Sequence, residues 1–483
     1  MVPSSYPCAR IGRDILYATD DGTPVFSAAD GRLFAWQGTA TPEQVDLAVA
    51  AARAAWPAWR ATSPAARGAL LQAVAERLQT ESEAFVQLQM RVNGKPRVEA
   101  AFDIGDAAAC FAHYAELCRD GTAFATEGVE LPDTTVAARR WHEPVGVAAL
   151  VVPWNFPVVT TAWKLAPALA AGCTVVLKPS ELTSPAEHAL LDLLDRAGLP
   201  PGVVNLVGGG AAVGAALVAH PGIDKVSFTG STAAGRQVMR ASAEGFKRLT
   251  LELGGKSALI LRQDAELDRA VILAVSGAFT NAGQMCSATA RILVHRRLHR
   301  AFLRAFGAAV RDLVAGPPGL AGCALGPLIS GPHRARVQAL VQQGLDAGAE
   351  LLFSGRVAVG AGEGYFMSPL VLACEDGGNV LWRDEIFGPV ACVRAFDDDD
   401  EALAIANDTA YGLVATVVTQ DADAASRYER ELRAGLVWVN TPQLIFPQVA
   451  WGGLGASGIG RELGLAGLRA YQELRHAVSA RPA

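Results

Sequence analysis

The sequence predicts an α/β protein with roughly three domains, or two large domains and a small appendage. Its 483 residues are too many for one hydrophobic core. Hydrophobic residues make up 51% of the chain and charged residues 19%, which is typical of a globular protein with a sizeable core. From residue 146 onward, short apolar segments alternate with helical ones, and this alternation predicts parallel sheets with helices on both faces.

The order of the elements favours a nucleotide-binding domain in the first half of the chain. Residues 42–120 are predicted to be helical, chiefly in the Ala-rich segments 42–59 and 65–88. Strands are then predicted at 146–152, 174–177, 203–207 and 225–228, with helices between them at 158–171, 185–197 and 211–219. Four strands joined in this way are typical of a doubly wound domain. A second α/β region is predicted at 255–440, and the hairpin 122–145 and the segment 463–478 are candidate oligomerisation arms.

Composition and charge exclude several classes of function. The net charge of −6 is not that of a generally basic nucleic-acid-binding protein, and the eight cysteines contain no C-x-x-C pair that would indicate a metal site. Residues 1–17 lack the apolar core of a secretory signal. The most apolar stretch, 145–176, contains prolines and a lysine, so it predicts buried core rather than a membrane helix. We therefore expect a cytoplasmic protein with no metal, nucleic-acid or membrane partner. The acidic run 397–401 is predicted to begin a helix.

Two segments have the character of a dinucleotide site. The segment 228–235 (FTGSTAAG) follows a predicted strand and opens a helix, as a phosphate-binding turn does, although it lacks the G-x-G-x-x-G spacing and an ordinary turn is an equal alternative. The strand ending at Lys178 continues into Ser180 and Glu181, at the edge where parallel sheets bind ligands. A carboxylate there accepts hydrogen bonds from ribose hydroxyls and repels a 2′-phosphate, which favours NAD over NADP; the alternative is a solvated pair at a strand end.

Three residues have the character of a catalytic group. Cys286 lies among small and polar residues and is a candidate nucleophile, the alternative being a buried structural thiol. Glu252 lies in an apolar strand-like run, where burial raises the pKa of a carboxyl and suits a general base, unless the side chain faces outward. Asn155 lies between two prolines and offers an amide donor, or serves ordinary turn chemistry.

Taken in order, these segments resemble a known family. They are 153–157 (PWNFP), 178–181 (KPSE), 228–232 (FTGST), 251–256 (LELGGK), 283–286 (GQMC) and 385–389 (EIFGP), with a tail motif at 451–453 (WGG) and 457–462 (SGIGRE). The chain resembles the NAD(P)-dependent aldehyde dehydrogenase superfamily over most of its length. The resemblance implies two Rossmann-like α/β domains and a small β oligomerisation arm. It assigns 1–122 and 144–252 to the NAD-binding domain, 253–442 to the catalytic domain, and 123–143 and 443–483 to the arm and the C-terminal tail.

The resemblance also implies a role for each motif. Cys286 attacks the aldehyde carbon, Asn155 and the Cys286 backbone N–H hold the oxyanion, and Glu252 activates the water that hydrolyses the thioester. Lys164 and Glu462 relay the proton of the base outward. The implied cofactor-binding residues are Trp154, Lys178, Ser180, Glu181, Gly230, Ser231, Gly254, Glu385 and Phe387. The implied cofactor is NAD, with NADP as the weaker alternative, and the implied assembly is a homodimer or homotetramer.

The nearest branch of the superfamily by resemblance is that of the aminoaldehyde and betaine-aldehyde dehydrogenases. The implied substrate-binding residues are Asp103, Asp106, Phe156, Trp163, Leu436 and Trp451. Carboxylates with aromatic faces suit an ammonium group, whereas the alternative is a solvated helix face beside plain core. Thr280 stands where the branch often has an aromatic residue, and the bulk of Leu436 favours 3-aminopropionaldehyde or 4-aminobutyraldehyde over betaine aldehyde.

Other functions remain as alternatives at this point. The enzyme could be a dehydrogenase of general aliphatic or aromatic aldehydes, or of semialdehydes. A CoA-acylating enzyme would use the same cysteine but tends to lack the base at Glu252. A non-catalytic structural member of the family would not need the intact Cys286, Glu252 and Asn155. A thiol hydrolase without a cofactor would not need the ribose carboxylates Glu181 and Glu385.

Overall fold

Helices cover both faces of two large sheets in the computed structural model, which describes residues 4–18, 22–133 and 135–481. The α/β fold class predicted from the sequence is confirmed. The α-helices are Pro42–Arg60, Pro64–Thr80, Ser82–Val92, Arg97–Asp120, Pro157–Ala171, Pro185–Arg196, Ala211–Ala219, Thr232–Ala243, Leu267–Phe279, Arg296–Asp312, Gly331–Asp346, Val380–Arg383, Asp399–Asn407, Ala422–Glu431 and Gly464–Arg469.

The first large sheet has eight strands. Its spatial order is Gly458–Ile459, Arg248–Glu252, Lys225–Thr229, Val147–Val151, Thr174–Lys178, Val204–Val207, Ala9–Ile11 and Asp14–Leu16. The five central strands run parallel, and antiparallel strands lie at both edges. Every residue of Val147–Val151 and Thr174–Lys178 is buried, as expected for parallel strands with helices on both faces.

This sheet has a switch point in the order of its strands. The chain adds strands on one side of Val147–Val151 and then returns to add Lys225–Thr229 on the other side. Ligands of doubly wound sheets bind outside the carboxyl ends of the two strands at such a point. The residues that follow these ends include Asn155 and Ser231, so the topology brings two predicted site residues to one crevice.

The second large sheet has seven strands and spans the predicted catalytic region. Its order is Glu350–Ser354, Leu370–Ala373, Val390–Phe396, Arg291–His295, Ala258–Leu261, Val414–Val418 and Leu436–Val439. All neighbours are parallel except the first pair. The acidic run 397–401 begins the helix Asp399–Asn407, as predicted, because Asp398 caps it by accepting from the Glu401 N–H at 2.9 Å.

Three smaller sheets complete the described chain. One contains Ser4–Tyr6, Leu33–Gln37 and Thr23–Phe26, and another pairs Val314–Ala315 with Arg356–Val357. The third contains Glu127–Val129, Val136–Pro144 and Gln472–Ala480, joined in antiparallel register. It unites the two segments that the sequence marked separately as candidate arms.

The sequence prediction differs from the structure mainly at boundaries. The helical region 42–120 is four helices, broken before Pro64, before Ser82 and at 93–96. The edge strands Ala9–Ile11 and Asp14–Leu16 were not predicted, because short half-exposed strands carry little hydrophobic pattern. The tail segment Gly458–Ile459 pairs with Arg248–Glu252 and so joins the first sheet.

Candidate active site

A cavity of about 560 Å³ lies at the switch point of the first sheet and extends to residues of the second sheet, such as Thr416. Fifteen of the residues predicted as site residues line it: Asp103, Asp106, Trp154, Asn155, Phe156, Trp163, Gly230, Ser231, Glu252, Gly254, Cys286, Glu385, Phe387, Trp451 and Glu462. Residues separated by more than 350 positions in the sequence therefore share one cavity.

The turn before Cys286 has an unusual backbone. Asn281 and Ala282 have φ of 53° and 52°, and Gly283 follows with φ of 72°. A Cβ atom at Gly283 would lie 2.1 Å from the carbonyl oxygen of Gly388, so only glycine permits this contact with the segment that follows Glu385. Left-handed residues in succession are strained, and such strain is characteristic of functional sites.

The side chain of Gln284 holds this turn in place. Its Nε2 donates to the carbonyl oxygens of Asn281 at 3.0 Å and Pro327 at 3.2 Å, and its Oε1 accepts from the Ile329 N–H at 2.9 Å. The sequence motif contains this glutamine, but its positioning role depends on a distant loop that the sequence does not reveal.

Asn155 is buried and attached to the same turn. Its Nδ2 donates to the carbonyl oxygen of Gln284 at 2.9 Å, while the Asn281 Nδ2 donates to the Asn155 carbonyl oxygen at 3.1 Å. An amide nitrogen has two hydrogens. One Asn155 hydrogen is therefore used in fixing its position beside Cys286, and the second remains for an oxygen atom in the cavity.

The thiol of Cys286 lies in an environment that disfavours its charge. Burial raises its pKa to about 12, and the carboxylates of Glu385 and Glu252 act in the same direction. The thiol is therefore protonated at neutral pH in the cofactor-free protein. A positively charged or proton-accepting group at the cavity would favour the nucleophilic thiolate.

Glu252 lies at the end of the strand Arg248–Glu252 and is 4% exposed. Neither carboxylate oxygen has a hydrogen-bond partner among the described residues. Burial raises its pKa well above the ordinary value, and the nearby Glu462 carboxylate raises it further, whereas Lys164 and Arg461 oppose this effect. A raised pKa makes the ionised carboxylate a stronger base, and in that form Glu252 can take a proton from water.

Lys164 and Glu462 form a buried ion pair beside Glu252, through Nζ and Oε1. Lys164 is fully buried in the helix Pro157–Ala171 and does not line the cavity, whereas Glu462 does. The Ser227 hydroxyl also donates to Glu462 Oε1, at 3.0 Å. Sequence reasoning missed Ser227, although the alternation of polar and apolar residues in its strand marks it.

The cofactor side of the cavity fits a dinucleotide. Ser231 caps the helix Thr232–Ala243 by accepting from the Ala234 N–H at 3.2 Å, which leaves a helix N-terminus facing the cavity. Glu385 Oε1 accepts from the Gly255 N–H at 3.1 Å, and a Cβ at Gly254 would lie 2.2 Å from Glu385 Oε2. Burial raises the pKa of Glu385 to about 7.

Aromatic rings line the cavity together with the Glu385 carboxylate. The ring centroids of Trp154 and Phe387 are 5.3 Å apart at 89°, and His333 contacts both rings. Phe387 has φ of 59°, and the His333 Nε2 lies 2.7 Å from its carbonyl oxygen. These flat faces and the carboxylate suit a nicotinamide ring and its ribose.

Lys178, Ser180 and Glu181 lie outside the cavity, at the carboxyl end of the strand Thr174–Lys178. Lys178 Nζ is 3.4 Å from Glu181 Oε2, and the Ser180 hydroxyl accepts from the Leu182 N–H at 3.3 Å. They share with Ser231 the carboxyl edge of the sheet, where doubly wound sheets bind their ligands.

Two predicted substrate contacts need correction. The Asp103 carboxylate is buried and forms an ion pair with Lys95, so its charge is neutralised within the protein rather than offered at the cavity mouth. The Lys95 ammonium also lies 3.6 Å from the centre of the Phe156 ring, and Phe156 lines the cavity whereas Lys95 does not. Leu436 packs on the core beneath the cavity and does not line it, whereas Ile445 does.

The remaining predicted contacts face the cavity. Trp163 and Trp451 have ring centroids 5.5 Å apart. Asp106 is half-buried, and burial raises its pKa to about 7, with the Asp103 charge acting in the same direction. Thr280 also lines the cavity.

Sequence reasoning missed Lys95, Glu99, Phe102 and Ile445. Glu99 Oε1 accepts from the Asn281 N–H at 3.0 Å and so joins the helix Arg97–Asp120 to the turn before Cys286. Burial raises the pKa of Glu99 to about 7. Positions 99, 103 and 106 have helical spacing, and this signal predicts Glu99 on the face of the two aspartates.

Comparison with known proteins decides the family. A model described as the aldehyde dehydrogenase family matches residues 17–477. The chain belongs to that family. The enzyme is 40% identical to aminoaldehyde dehydrogenase 2, peroxisomal, of Pisum sativum over 94% of its own length and 91% of that protein. It is 39% identical to the chloroplastic betaine aldehyde dehydrogenase of Beta vulgaris, over 94% and 92% of the two chains.

A solved structure of betaine aldehyde dehydrogenase from Staphylococcus aureus in complex with NAD+ is similar to the enzyme. The two share 32% identity, and the TM-score is 0.94 over 98% of this chain and 94% of the other. The predictions of an NAD(P)-dependent aldehyde dehydrogenase and of NAD as its cofactor are confirmed. The relatives' names include both substrate types, so they do not choose between them.

The names of the relatives give cellular locations for those proteins. Within the described ranges no helix is both long and apolar enough to cross a membrane. The predicted cytoplasmic location is not supported by the plant relatives, whose names are peroxisomal and chloroplastic.

Proposed function

We propose that the enzyme oxidises an ω-aminoaldehyde, such as 3-aminopropionaldehyde or 4-aminobutyraldehyde, to its amino acid. The observation that carries this proposal is the pair of carboxyl groups at Asp106 and Glu99, which line the cavity and form no ion pair within the described part of the chain. An ammonium group that enters the cavity would supply the missing positive charge and favour the ionised form of both carboxyls.

The aromatic walls support the same class of substrate. Trp163 and Trp451 form a tilted pair, and their faces attract a cation that has lost part of its water. Phe156 contributes less to this attraction than the sequence suggested, because the Lys95 ammonium already lies over one face of its ring. The positively charged end of the substrate is therefore expected between the tryptophans and Asp106.

Cavity shape favours a primary amine over a trimethylammonium group. Ile445 contributes a branched, bulky side chain to the cavity wall, in the role that the sequence analysis gave to Leu436. A primary ammonium is smaller and donates three hydrogen bonds, which a carboxylate such as Asp106 can accept. A trimethylammonium group has no such donor and needs more room.

The catalytic groups are proposed to act in sequence. The Cys286 thiol loses its proton to solvent and its sulfur bonds to the aldehyde carbon. The second Asn155 amide hydrogen and the Cys286 N–H hold the developing oxyanion. NAD+, when bound, would accept the hydride whose loss turns the cysteine adduct into a thioester. Glu252 then removes a proton from water as its oxygen adds to the thioester carbon, and the C–S bond breaks to release the acid.

The cofactor contacts follow the geometry of the site. Glu385 and Phe387 are proposed to hold the nicotinamide ribose and ring, and Ser231 with Gly230 the pyrophosphate. Lys178, Ser180 and Glu181 are proposed to hold the adenosine ribose, with Trp154 and Gly254 completing the walls. The Glu181 carboxylate would repel the 2′-phosphate of NADP, which supports a preference for NAD.

A general aliphatic aldehyde is the second candidate substrate. Val98 and Phe102 line the cavity and are 82% and 60% exposed, so the mouth carries an apolar rim that an uncharged chain can contact. A semialdehyde with a terminal carboxylate is less compatible, because it would meet the negative charges of Asp106 and Glu99.

Kinetics on a panel of aldehydes test the proposal. We expect kcat/KM with NAD to be highest for 3-aminopropionaldehyde and 4-aminobutyraldehyde, lower for betaine aldehyde, and lowest for succinic semialdehyde. A higher kcat/KM for butyraldehyde than for 4-aminobutyraldehyde would select the second candidate. Replacement of NAD by NADP is expected to lower kcat/KM for every substrate.

We also propose the predicted assembly and domain division. The strand Gln472–Ala480 forms one edge of the three-stranded sheet and exposes Leu474 and Val478 by 51% and 65%. An edge strand of this kind pairs readily with a second copy of the chain, which supports a homodimer or homotetramer. Light scattering on the purified enzyme distinguishes these from a monomer. The two large sheets support separate domains at 1–122 with 144–252 and at 253–442.

A further inference from the structure

Two neighbouring strands beside Glu252 carry an unusual set of buried polar side chains. The strands Lys225–Thr229 and Arg248–Glu252 are parallel and paired in register from Lys225 opposite Arg248 to Thr229 opposite Glu252. On one face their residues are all polar, and we call this face the polar lane: Lys225, Ser227, Thr229, Arg248, Thr250 and Glu252. On the opposite face the residues are Val226, Phe228, Leu249 and Leu251.

The polar lane is not required by the fold. Parallel strands with helices on both faces are ordinarily apolar on both sides, as Val147–Val151 next to them is. Burying a lysine and several hydroxyls costs free energy unless each finds a partner. A continuous row of such groups that begins at the general base therefore indicates a function.

Hydrogen bonds connect the lane to the ion pair beside Glu252. Ser227 Oγ donates to Glu462 Oε1 at 3.0 Å, and Lys225 Nζ donates to Thr250 Oγ1 at 2.8 Å. Ser227 and Thr250 are opposite each other in the register, on strands about 4.8 Å apart. Their side chains therefore share one face of the sheet, between the Glu462 contact of Ser227 and the Lys225 contact of Thr250.

The lane runs from the cavity toward the surface. Glu252 lines the cavity, Thr250 and Ser227 are buried, and Lys225 is 1% exposed. At its outer end Arg248 is exposed and pairs with Glu473 at the surface. With about 3.3 Å per residue, the five positions of either strand span roughly 13 Å.

Lys225 has the surroundings of a group that can change its charge. Its Nζ lies 4.8 Å from the centre of the Tyr471 ring, and within the described chain no carboxylate contacts it in an ion pair. Burial lowers its pKa to about 7. The charged and titratable groups that face it are Glu462 and Cys173, which raise this pKa, and Lys164 and Arg248, which lower it.

We propose that the polar lane conducts protons from Glu252 and Glu462 to the protein surface, with Lys225 as its outer proton carrier. This inference rests on the proposed roles of Glu252 and Glu462 in hydrolysis, and it does not depend on which aldehyde is the substrate.

The proton balance of thioester hydrolysis requires a path by which one proton leaves the buried site. Water adds its oxygen to the thioester carbon and loses one proton to Glu252. The C–S bond then breaks, so that the products are a carboxylate, the Cys286 thiol and one proton that must leave the buried site. That proton passes to Glu462, then by exchange through the hydroxyls of Ser227 and Thr250 to the neutral amine of Lys225, which releases it to solvent.

The test measures hydride transfer and thioester hydrolysis separately. The holoenzyme with saturating NAD is mixed with less than one equivalent of butyraldehyde, an uncharged substrate. NADH is followed by absorbance, and the acyl-enzyme is followed by rapid quench and intact-protein mass spectrometry from pH 6 to 9. The variants are Lys225→Met, Lys225→Arg and, as a control, Lys247→Met. Lys247 is a second buried lysine, which donates to two backbone carbonyls outside the lane.

Lys225→Arg distinguishes proton transfer from a structural role. Arginine keeps the positive charge but does not release its proton below pH 12. We expect acyl-enzyme decay to slow at least tenfold in Lys225→Met and Lys225→Arg, with the pH dependence below pH 8 weakened. NADH formation should stay within twofold of the wild type, and Lys247→Met should change neither rate.

Other outcomes contradict the proposal. If the acyl-enzyme of Lys225→Arg decays at the wild-type rate, Lys225 serves only as a structural counter-charge. The same conclusion follows if the variants slow NADH formation and acyl-enzyme decay equally. If Lys225→Met does not fold, Lys225→Arg alone decides. An absence of any acyl-enzyme in the wild type, with NADH still formed, would instead refute the proposed thioester route itself.

Discussion

The Asn155 side-chain amide donates to the carbonyl oxygen of Gln284 at 2.9 Å, two residues before Cys286. The same turn is held by Glu99, whose Oε1 accepts from the Asn281 N–H at 3.0 Å. The oxyanion donor and the nucleophile are thus fixed to each other through one short turn. This arrangement makes the geometry of the reacting atoms independent of the substrate that fills the cavity.

Removal of the Asn155 amide is expected to affect the chemical step. We expect Asn155→Ala to lower kcat about 100-fold, because one oxyanion donor is lost, while the Kd for NAD changes little. Asn205→Ala serves as the control, since Asn205 is also buried and donates to a backbone carbonyl at 2.8 Å, away from the cavity. Equal losses of kcat in the two variants would assign Asn155 a structural role only.

The thiol of Cys286 is expected to react slowly in the cofactor-free enzyme. Because its pKa is raised to about 12, the thiolate fraction and the rate of alkylation by iodoacetamide should rise about tenfold per pH unit from pH 7 to pH 9. Glu385→Gln removes a nearby negative charge and should speed alkylation at pH 7.5. The measurement uses a Cys323→Ser background, since Cys323 is the other cysteine that is not fully buried. A rate that levels off below pH 9 would contradict the account.

Asp103 and Asp106 are expected to differ in their contributions to stability. Asp103→Asn leaves the buried Lys95 ammonium without its partner and should lower the free energy of unfolding by about 3 kcal/mol. Asp106→Asn removes a carboxyl that has no ion pair in the described chain and should change stability by less than about 1 kcal/mol. Chemical denaturation of both variants checks this, and similar losses would show that the two aspartates are equivalent.

Glu187 is expected to make the enzyme less stable as the pH rises. It is fully buried in the helix Pro185–Arg196, neither oxygen has a hydrogen-bond partner among the described residues, and burial raises its pKa from 4.5 to about 8. The folded state therefore holds this proton more tightly than the unfolded state, so stability falls between about pH 4.5 and pH 8.

Replacing Glu187 by glutamine is expected to remove this fall of stability with rising pH. We expect Glu187→Gln to unfold at the same temperature as the wild type at pH 5 but to be more stable at pH 8.5, by on the order of 3 kcal/mol. Thermal unfolding at the two pH values measures the difference. A variant that is equally stable or less stable at pH 8.5 would show that the Glu187 carboxyl has a partner in solution.

The motifs nearest the chemistry could be recognised from sequence because each is a short continuous segment. Cys286, Glu252 and Asn155 all line the cavity, and the strands that bring them there follow from the alternation of apolar and helical segments. The topology then places the strand ends together, whatever lies between them.

The substrate side was harder to predict, because it depends on which way particular side chains point. Asp103 lies in a helix and forms its ion pair with Lys95 in the preceding loop. Residue spacing along the sequence does not predict this contact. Leu436 and Ile445 are both bulky and nine residues apart, and only the three-dimensional path of the chain shows that Ile445 reaches the cavity. The polar lane, in contrast, follows from the alternation of polar and apolar residues in two strands, and the sequence alone could have predicted it.

The central claim is that the acidic end of the cavity recognises an ammonium group, and one comparison tests it most directly. kcat/KM is measured for 4-aminobutyraldehyde and for butyraldehyde, with the wild type, Asp106→Asn and the control Glu116→Gln, which lies exposed on the same helix. We predict that the wild type prefers the aminoaldehyde at least tenfold and that its KM for the aminoaldehyde falls as the pH rises through 7. Asp106→Asn should weaken both effects, with Glu99 retaining part of them, and should leave kcat/KM for butyraldehyde unchanged. Glu116→Gln should change neither effect. An equal or greater kcat/KM for butyraldehyde in the wild type, or an unchanged preference in Asp106→Asn, would contradict the account.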